Sequence, residues 1–533
     1  MSSSRMGRNR HPSMIKFAKL GRVADHGSAW ARAVLGEFER LCGLPIHHIG
    51  THRQAVEQWK QTLQIPEVTR GRFAISTLRN TTWIGAGVYM ACVLRQMGYE
   101  STILYRGSEI ARYFPSRHPW FGFWPGVGGI PGVQLVDLEQ IPVTDVEMRE
   151  FEECARLSAP AAVAYDLHIE EQNFEDADES AHAALKSLIK LQMRMGAAAH
   201  KHLSANRYER LLLYSGLIGE SPALLHAAQK AGVHTVCLEG WGWRPGHMIY
   251  NHNAPALDYD IHAWMQKIQP WDEDKEQEVD RYLEFLDGKY RGGSSWLDSI
   301  HIVQRAKIAA ILPPSLQAFV AEGTSKIFLA PTNVIGDSSM LRRETIFRGQ
   351  QDWCAALIEH FRRRSDAKLI IRAHPGEIWF GPKRRIRMAD VARNLAGDAK
   401  NVFVIDPSEQ FNTFSLLPFV DAGLVWISSI GVDMVARGYP VLAAAKPKYA
   451  GLGIVQEPRT AEEYWALLES WILTTPRPNA AQGRMAKQYL YIVFKGFSYE
   501  AWGKDFLATS VYLNRPTNPA DHAAFYDAIT AGR

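Results

Sequence analysis

Cysteine is scarce in this chain, and no hydrophobic run is long enough to span a membrane. The five cysteines are widely scattered, form no Cys-x-x-Cys pair, and lie at Cys42, Cys92, Cys154, Cys237 and Cys354. An odd, dispersed set of this kind is typical of reduced core residues and argues against a disulfide-rich secreted scaffold. No apolar stretch approaches the roughly 20 residues that a membrane-spanning helix needs, and the N-terminus has no hydrophobic signal core. We therefore expect a cytoplasmic protein.

A strong excess of charge is also missing. The formal net charge is +4 over 533 residues, with 22% charged and 46% hydrophobic residues, which is ordinary for a soluble globular protein. So weak a basic balance gives no indication of nucleic-acid binding, although it is compatible with anionic substrates or a membrane surface. The first 22 residues carry six Lys or Arg and no acid. They predict a solvated tail, with peripheral contact to anionic lipid of the inner membrane as the functional alternative.

Candidate strands alternate with candidate helices through most of the chain, in two series. The first series has strands at 72–76, 101–105, 211–214 and 234–238, and the second has strands at 327–330, 369–372, 402–405, 424–427 and 441–443. Strands separated by helices predict parallel sheets with right-handed crossovers. The length also exceeds what one hydrophobic core usually organises. The predicted fold is therefore α/β, with two Rossmann-like domains whose sheets open onto a central cleft.

The two series set the expected domain boundaries. We assign residues 1–70 to the basic tail and a helical lead-in, 71–315 to the first domain, 316–480 to the second, and 481–533 to C-terminal helices that cross back to the first domain. Inside these domains we expect a glycine-containing loop at 80–87, a helix at 413–420, and a His-rich loop that holds His247, His252 and His262.

The most informative segment is the strand-to-helix junction at 425–434. It places Ser428, Ser429, Gly431 and Val432 where a buried strand gives way to a helix. Unpartnered N–H groups and the positive end of the helix dipole suit such a junction to a phosphate, and the hydroxyls add donors. A plain N-cap role for the serines is the alternative.

Two other strands of the second series end in residues with matching chemistry. The strand at 369–372 delivers Arg372 and His374 to a loop, and the strand at 327–330 is followed by Thr332 and Asn333. We expect the cationic pair to assist a phosphate and the Thr-Asn pair to hold a base, ribose or phosphate. The alternative for His374 is a structural role in the loop, and the alternative for Thr332 and Asn333 is a simple turn with Asn at a permissive position.

In the first series, Glu239 directly follows a strand, at the position where α/β sheets present functional side chains. We predict it to be a catalytic carboxylate that acts as a base or nucleophile, and a loop tie is its alternative. Asp260 and Glu220 are weaker candidates, and Glu220 fits a helix cap better. Arg244 could hold an anionic carboxylate by a two-pronged contact.

Together these segments resemble a known family, the bacterial capsule polysaccharide biosynthesis proteins, which include capsular Kdo transferases of the two-domain GT-B glycosyltransferase class. The resemblance extends over about 72 to 500 and is carried by the segments 80–85, 239–246, 372–375, 412–413, 428–433, 437–441 and 448–453. The chain departs from the family pattern at Asp433, where Glu or a small residue is usual, and in the Trp-rich insert with Trp241 and Trp243.

The resemblance implies a metal-independent glycosyltransferase without a cofactor. It would move a sugar, expected to be a CMP-linked acidic sugar such as Kdo, from a nucleotide sugar bound by the second domain to a glycan or glycolipid acceptor held by the first. Tyr449 would border the base, with a packing role as its alternative. A teichoic-acid-type polyol-phosphate transferase and a non-catalytic scaffold protein remain open as other readings of the same fold.

No metal site is predicted. His247, His252 and His262 lack the spacing of two ligands on one helical face, and the chain has no His-Glu-x-x-His segment. The Asp-x-Asp form of Asp258 and Asp260 is too short a match to indicate a metal.

Overall fold

The structure is a computed structural model that describes residues 60, 65–67, 69–77, 81–108, 127–171, 179–240, 247–288, 311–323, 325–378, 386–409, 411–496, 499–500 and 523–530. The predicted basic tail lies outside these residues, and so does the Trp-rich insert that contains Trp241, Trp243 and Arg244. None of the helices found among the described residues is both long and apolar enough to cross a bilayer.

Twelve β-strands and fourteen α-helices occur within the described residues. The strands are β1 (Gly71–Ser76), β2 (Tyr99–Tyr105), β3 (Val133–Asp137), β4 (Arg210–Tyr214), β5 (Thr235–Gly240), β6 (His247–His252), β7 (Lys326–Pro331), β8 (Ala367–Arg372), β9 (Val402–Ile405), β10 (Ala422–Val425), β11 (Val441–Ala443) and β12 (Tyr499–Glu500). The helices are α1 (Thr81–Gln96), α2 (Asp145–Arg149), α3 (Glu152–Leu167), α4 (Glu179–Ala205), α5 (Ser221–Lys230), α6 (Ile261–Lys267), α7 (Glu273–Leu286), α8 (Pro314–Ala321), α9 (Gln350–Arg362), α10 (Met388–Ala396), α11 (Ile430–Ala436), α12 (Ala461–Leu473), α13 (Ala480–Tyr491) and α14 (Ala523–Thr530).

The first sheet has seven strands in the order β12-β6-β5-β4-β1-β2-β3. Strands β1 to β5 run parallel to one another, whereas β6 pairs antiparallel with β5, and β12 pairs antiparallel with β6 at the edge. The interior strands carry continuous apolar runs such as Leu211-Leu212-Leu213, buried on both faces as a helix-covered parallel sheet requires. All four predicted strands of this half are confirmed, but β3 and the antiparallel edge were not predicted.

The second sheet has five parallel strands in the order β11-β10-β7-β8-β9. All five occur where the sequence predicted them, within a few residues. The order places β7 and β10 side by side at the centre, so the segments that follow them, at 332–337 and 426–430, lie at the same carboxyl edge of the sheet. The α/β fold class with two largely parallel sheets is confirmed.

Three local expectations were wrong. Of the expected loop at 80–87, residues 81–87 form the first part of α1, and residue 80 lies outside the described residues. Gly87 allows close packing there, since a Cβ would lie 2.5 Å from the methyl carbon of Thr77, beside β1. The expected helix at 413–420 is a 3₁₀ segment, Thr413–Phe419, with Pro418 inside it. The three histidines of the expected loop lie in regular elements, with His247 and His252 in strand β6 and His262 in α6, and Nδ1 of His252 lies 2.8 Å from Nε2 of His234.

The two sheets share one extensive apolar cluster. It joins Leu211 and Leu213 of β4 to Leu329 of β7 and Ile370 of β8. Polar contacts also cross the junction, including a hydrogen bond of 2.5 Å from Nδ2 of Asn412 to the carbonyl of Leu286. The two α/β units are therefore in direct contact, and the groups at their carboxyl edges face each other.

Candidate active site

Glu239 lies at the carboxyl end of β5 and is only 7% exposed. One carboxylate oxygen accepts a hydrogen bond of 2.9 Å from Ser215, which follows β4, and the other accepts one of 2.9 Å from Ser338. Ser338 belongs to the second half of the chain, in the 3₁₀ segment Ser338–Met340. Glu239 therefore sits between the two domains and not on the surface of the first one.

Burial raises the pKa of Glu239 to about 7, and the nearby negative charge of Asp337 adds to this effect. The hydrogen bonds from Ser338 and Ser215 and the positive charge of Lys448 act in the opposite direction. A carboxyl group with a pKa near neutrality can both accept and release a proton at physiological pH, which is the property that acid and base catalysis needs.

Charged groups that the sequence analysis had not selected surround this carboxylate. Lys448 donates a hydrogen bond to the carbonyl of Leu257, and Nη2 of Arg343 lies 3.1 Å from a carboxylate oxygen of Asp258. Burial lowers the pKa of Lys448 to about 7, and the positive charge of the neighbouring Arg343 contributes in the same direction. We name Glu239, Asp258, Asp337, Arg343 and Lys448 the junction cluster.

The predicted serine junction begins after β10 and leads into α11. Ser428 is buried, and Ser429 is the N-cap residue of α11 but makes no capping hydrogen bond through its side chain. The N–H groups of Gly431 and Val432 donate instead to the carbonyls of Ser428 and Ser429, at 3.1 Å each. Because these two N–H groups are already used, we do not retain them as phosphate donors.

The N–H groups two residues earlier, of Ser429 and Ile430, are better placed for that role. Among the described residues we find no hydrogen-bond acceptor for the backbone N–H of Ser429 or Ile430. The Ser429 hydroxyl is likewise without a capping bond. Any anion at this junction would therefore be met by Ser429 and Ile430 and not by the two residues that the sequence pattern favoured.

Tyr449 packs against the serine junction and binds its backbone. It is 1% exposed, and its hydroxyl donates a hydrogen bond of 2.7 Å to the carbonyl of Ser428. Gly431 makes the approach possible, since a Cβ there would lie 2.4 Å from the Tyr449 oxygen. The structure thus places Tyr449 in the packing role that the sequence analysis gave as its alternative.

Lys448 and Tyr449 connect the two candidate centres. Tyr449 contacts the serine junction through Ser428, while the neighbouring Lys448 donates to the carbonyl of Leu257 in the first half of the chain. One dipeptide of the second half therefore contacts both the predicted phosphate region and the first half of the chain.

Thr332 and Asn333 hold neighbouring segments of the second sheet together. The N–H of Thr332 donates to the carbonyl of Arg372 at 3.0 Å. The side-chain oxygen of Asn333 accepts from the N–H of Ile427 at 3.3 Å, and its backbone is bound on both sides by the side chain of Gln350. Asn333 therefore fixes the loop after β7 against the residue that precedes the serine junction.

His374 lies in the loop after β8, half-buried, and its Nδ1 accepts a hydrogen bond of 3.0 Å from the N–H of Gly376. A nitrogen that accepts in this way carries no proton, so the ring is held as the tautomer with a proton on Nε2. His374 can then donate from Nε2 without being charged. This differs from the predicted role of a protonated histidine, which would break the bond to Gly376.

Arg372 is occupied by the protein itself. It is 3% exposed, and its guanidinium donates to the carbonyl of Asp406 at 2.6 Å and to that of Glu409 at 3.0 Å, while it stacks on Phe411 at 5.0 Å. Burial lowers its pKa to about 10. Because these contacts secure the loop after β9, we do not retain Arg372 as a phosphate ligand.

The two weaker acid candidates have other contacts. Asp260 is exposed and caps α6, where one carboxylate oxygen accepts from the N–H groups of His262 at 2.9 Å and Ala263 at 3.1 Å. Glu220 is 3% exposed and forms an ion pair with Arg106, without the side-chain capping bond that was expected for it. Arg244 lies outside the described residues.

Within the described part of the chain, no group of three or more His, Cys, Asp or Glu side chains is arranged to hold a metal ion. The sequence analysis missed Asp337, Ser338 and Arg343 altogether and noticed Asp258 only as part of a metal pattern. A signal was available for the first two, because they directly follow the loop after β7. Nothing in the sequence pattern indicated that Arg343 would turn back toward the first domain.

The fold is therefore that of an α/β protein with two largely parallel sheets whose carboxyl edges carry these groups. Residues 302–473 match the family model described as "Capsule polysaccharide biosynthesis protein". This match confirms the resemblance predicted from the sequence, over a segment that contains β7 to β11 and the serine junction. Among curated proteins, none matches this chain.

Solved structures with a similar arrangement include two transferases of KpsC from Thermosulfurimonas dismutans. The β-Kdo 2,7 transferase is 14% identical, with 55% of this chain and 79% of that chain covered and a TM-score of 0.32. The β-Kdo 2,4 transferase is 17% identical, with 58% and 88% covered and a TM-score of 0.34. A UDP-GlcNAc 2-epimerase from Neisseria meningitidis is 14% identical, with 78% and 95% covered and a TM-score of 0.25.

Proposed function

We propose that this protein is a glycosyltransferase of capsule polysaccharide synthesis, which moves a sugar from a nucleotide-sugar donor to a glycan or glycolipid acceptor. One observation carries the proposal: Glu239 ends a strand of the first domain, is buried against the second domain, and has a pKa of about 7. The match of residues 302–473 to the capsule polysaccharide biosynthesis family supports the proposal from the side of the second domain.

Glu239 would provide the chemistry on the acceptor side. A carboxylate in this position can take the proton of the acceptor hydroxyl as the new glycosidic bond forms, or attack the sugar itself to form a glycosyl intermediate. In either case the bond between the sugar and the donor phosphate breaks, and the phosphate leaves with its negative charge.

The second domain would stabilise that departing charge. Ser429 and Ile430 present N–H groups at the start of α11, Ser428 and Ser429 add hydroxyls, and His374 can donate from Nε2. Preorganised donors of this kind can lower a barrier by several kcal/mol without a metal. We propose a CMP-linked acidic sugar such as Kdo as the donor, because the family resemblance implies it and Arg343 and Lys448 place cationic groups at the same edge.

The test is a product assay with purified protein. CMP-Kdo and a panel of UDP- and GDP-sugars are incubated with capsule-type glycolipid acceptors, and free nucleotide and glycosylated product are measured. We expect one donor to be consumed, and we expect Glu239→Gln to lower turnover by about 100-fold or more. Asp260→Asn is the matched control, because its capping contacts give it no part in the reaction.

Two outcomes would contradict the proposal. Equal losses in the two variants would show that Glu239 has no special role. Release of CMP from CDP-glycerol with a phosphorus-containing product would instead establish a polyol-phosphate transferase.

A further inference from the structure

A buried carboxylate of the first domain caps a helix of the second. Glu170 follows the end of α3, and it faces the start of α9, where the N-cap residue Gly349 has no side chain for capping. One oxygen of Glu170 accepts a hydrogen bond of 2.6 Å from the N–H of Gln350, and the N–H of Gln351 lies 3.2 and 3.3 Å from the two oxygens. A carboxylate in this position satisfies N–H groups that have no partner within the helix and complements the helix dipole.

The two domains fit closely at this contact. A Cβ at Gly349 would lie 2.7 Å from Oε2 of Glu170, so a glycine at the N-cap lets the carboxylate reach the helix. Two residues before Glu170, the first domain also contacts the loop after β7, because a Cβ at Gly336 would lie 2.6 Å from Cα of His168. The segment 168–170 therefore contacts the connection between β7 and α9 near both of its ends.

Gln350 joins the start of α9 to the loop after β7. Its side chain is fully buried, its Oε1 accepts from the N–H of Asn333 at 2.6 Å, and its Nε2 donates to the carbonyl of the same residue at 3.0 Å. The side-chain oxygen of Asn333 in turn accepts from the N–H of Ile427 at 3.3 Å. Hydrogen bonds therefore connect Glu170 of the first domain, through Gln350 and Asn333, to the residue that precedes the serine junction.

We propose that Glu170 is a positioning residue for the serine junction: its contact with the start of α9, transmitted through Gln350 and Asn333, sets how tightly the junction binds a nucleotide. The binding arm of this inference rests on the proposed function. Without the contact, the first turn of α9 can shift, and Asn333 shifts with it because Gln350 holds its backbone on both sides. By linkage, a nucleotide at the junction also favours contact between the two domains.

The key variant is Glu170→Ala, compared with wild type in calorimetric titration with CMP, UDP, GDP and ADP. Coupling between two sites typically changes an affinity by about 5- to 150-fold. We therefore expect Glu170→Ala to weaken nucleotide binding about 5-fold or more. A loss of stability alone does not change the affinity of the folded protein. Glu170→Gln should bind almost as wild type does, because its side-chain oxygen can still accept from the N–H of Gln350.

Asp421→Ala is the matched control. The Asp421 carboxylate also accepts from a backbone N–H, that of Ile327 at 2.9 Å, but it precedes β10 and lies at the opposite edge of the same sheet. We expect Asp421→Ala to leave nucleotide affinity unchanged.

A double variant tests the route through Asn333. Asn333→Ala removes the acceptor of the Ile427 N–H, while its backbone can still bind Gln350. If the contact acts through this side chain, Glu170→Ala/Asn333→Ala should bind a nucleotide as Asn333→Ala alone does. Additive losses of affinity would overturn the inference.

A second measurement needs no nucleotide. Hydrogen exchange of the free protein is followed by mass spectrometry on the peptides that cover Ile427 and β9. In Glu170→Ala we expect exchange at Ile427 to be about 5-fold or more faster, without a comparable change in β9, because only the first of these N–H groups loses its fixed acceptor. If Glu170→Ala does not fold, Gly349→Ala replaces it in both measurements, since the added Cβ displaces the carboxylate.

Equal exchange at Ile427 in wild type and Glu170→Ala would overturn the inference, and so would an equal loss of affinity in Asp421→Ala. Faster exchange confined to Ile427, in a protein that binds none of the four nucleotides, would leave the connection in place and refute the proposed function instead.

Discussion

Gly431→Ala tests the packing beneath the serine junction most sharply. Gly431 lies inside α11, where alanine is normally preferred to glycine by about 1 kcal/mol. A Cβ at this position would lie 2.4 Å from the Tyr449 oxygen, far closer than the 3.0 Å that real Cβ atoms respect. The hydroxyl must then move away, and it loses its 2.7 Å hydrogen bond to the carbonyl of Ser428.

The size of the effect follows from these contacts. Displacement of a buried hydroxyl from its acceptor costs about 1 to 3 kcal/mol, and overpacking of a tight core adds about 1 to 3 kcal/mol. Tyr449→Phe alone should cost only about 1 kcal/mol, because the Ser428 carbonyl still accepts from Gly431. We therefore expect Gly431→Ala to lower the free energy of unfolding by about 3 kcal/mol despite its better helix propensity.

The double variant Gly431→Ala/Tyr449→Phe separates the clash from other effects. Loss of the tyrosine oxygen leaves ring carbon Cζ, at 3.4 Å from the added Cβ, as the nearest aromatic atom. The double variant should thus be close to Tyr449→Phe in stability, which corresponds to a coupling of about 3 kcal/mol between the two changes in urea denaturation. Additive losses, or a Gly431→Ala protein as stable as wild type, would refute this account of the junction.

Three further predictions concern other contacts. The folded-state pKa of Glu239 is about 7, whereas an unperturbed glutamate has a pKa of 4.5. Wild type should therefore lose about 3 kcal/mol of unfolding free energy relative to Glu239→Gln as the pH rises from 4.5 to 7.5. The same pH dependence of this free energy in the two proteins, measured by urea denaturation, would contradict the prediction. Gly376→Ala should lower turnover about 10-fold or more with little loss of stability, because the added Cβ would lie 2.9 Å from Nδ1 of His374 and turn the ring. An unchanged kcat would exclude a role of His374 in the reaction. Glu170→Ala should lower the free energy of unfolding by about 2 kcal/mol in thermal or urea denaturation, because the carboxylate accepts hydrogen bonds from the N–H groups that begin α9. An unchanged stability would show that water replaces the carboxylate at these N–H groups.

The repeating α/β pattern was predictable because it is written in local sequence. Parallel interior strands are continuous apolar runs such as Leu211-Leu212-Leu213, and turn residues separate them from the helices. The prediction of a loop at 80–87 was wrong because Gly87 is as compatible with a helix that packs tightly on β1 as with a loop. Glycine composition alone does not separate the two.

The site was predictable at single strand ends but not between them. Glu239 and the serines could be selected because each follows a buried strand. The role of Arg372 depends on the positions of the Asp406 and Glu409 carbonyls, to which its guanidinium donates. The junction cluster depends on how the two domains pack against each other. Contacts such as Ser338 with Glu239, 99 residues apart, have no local sequence signal.

Nucleotide binding at the serine junction is the central claim. Calorimetric titration with CMP, UDP, GDP and ADP tests it most directly, with wild type and Ser429→Ala compared. We predict that one nucleotide binds, with CMP favoured, and that Ser429→Ala weakens its binding by about 10-fold or more through the loss of a charge-assisted hydrogen bond. No binding by any of the four, or equal affinity in the two proteins, would contradict the claim.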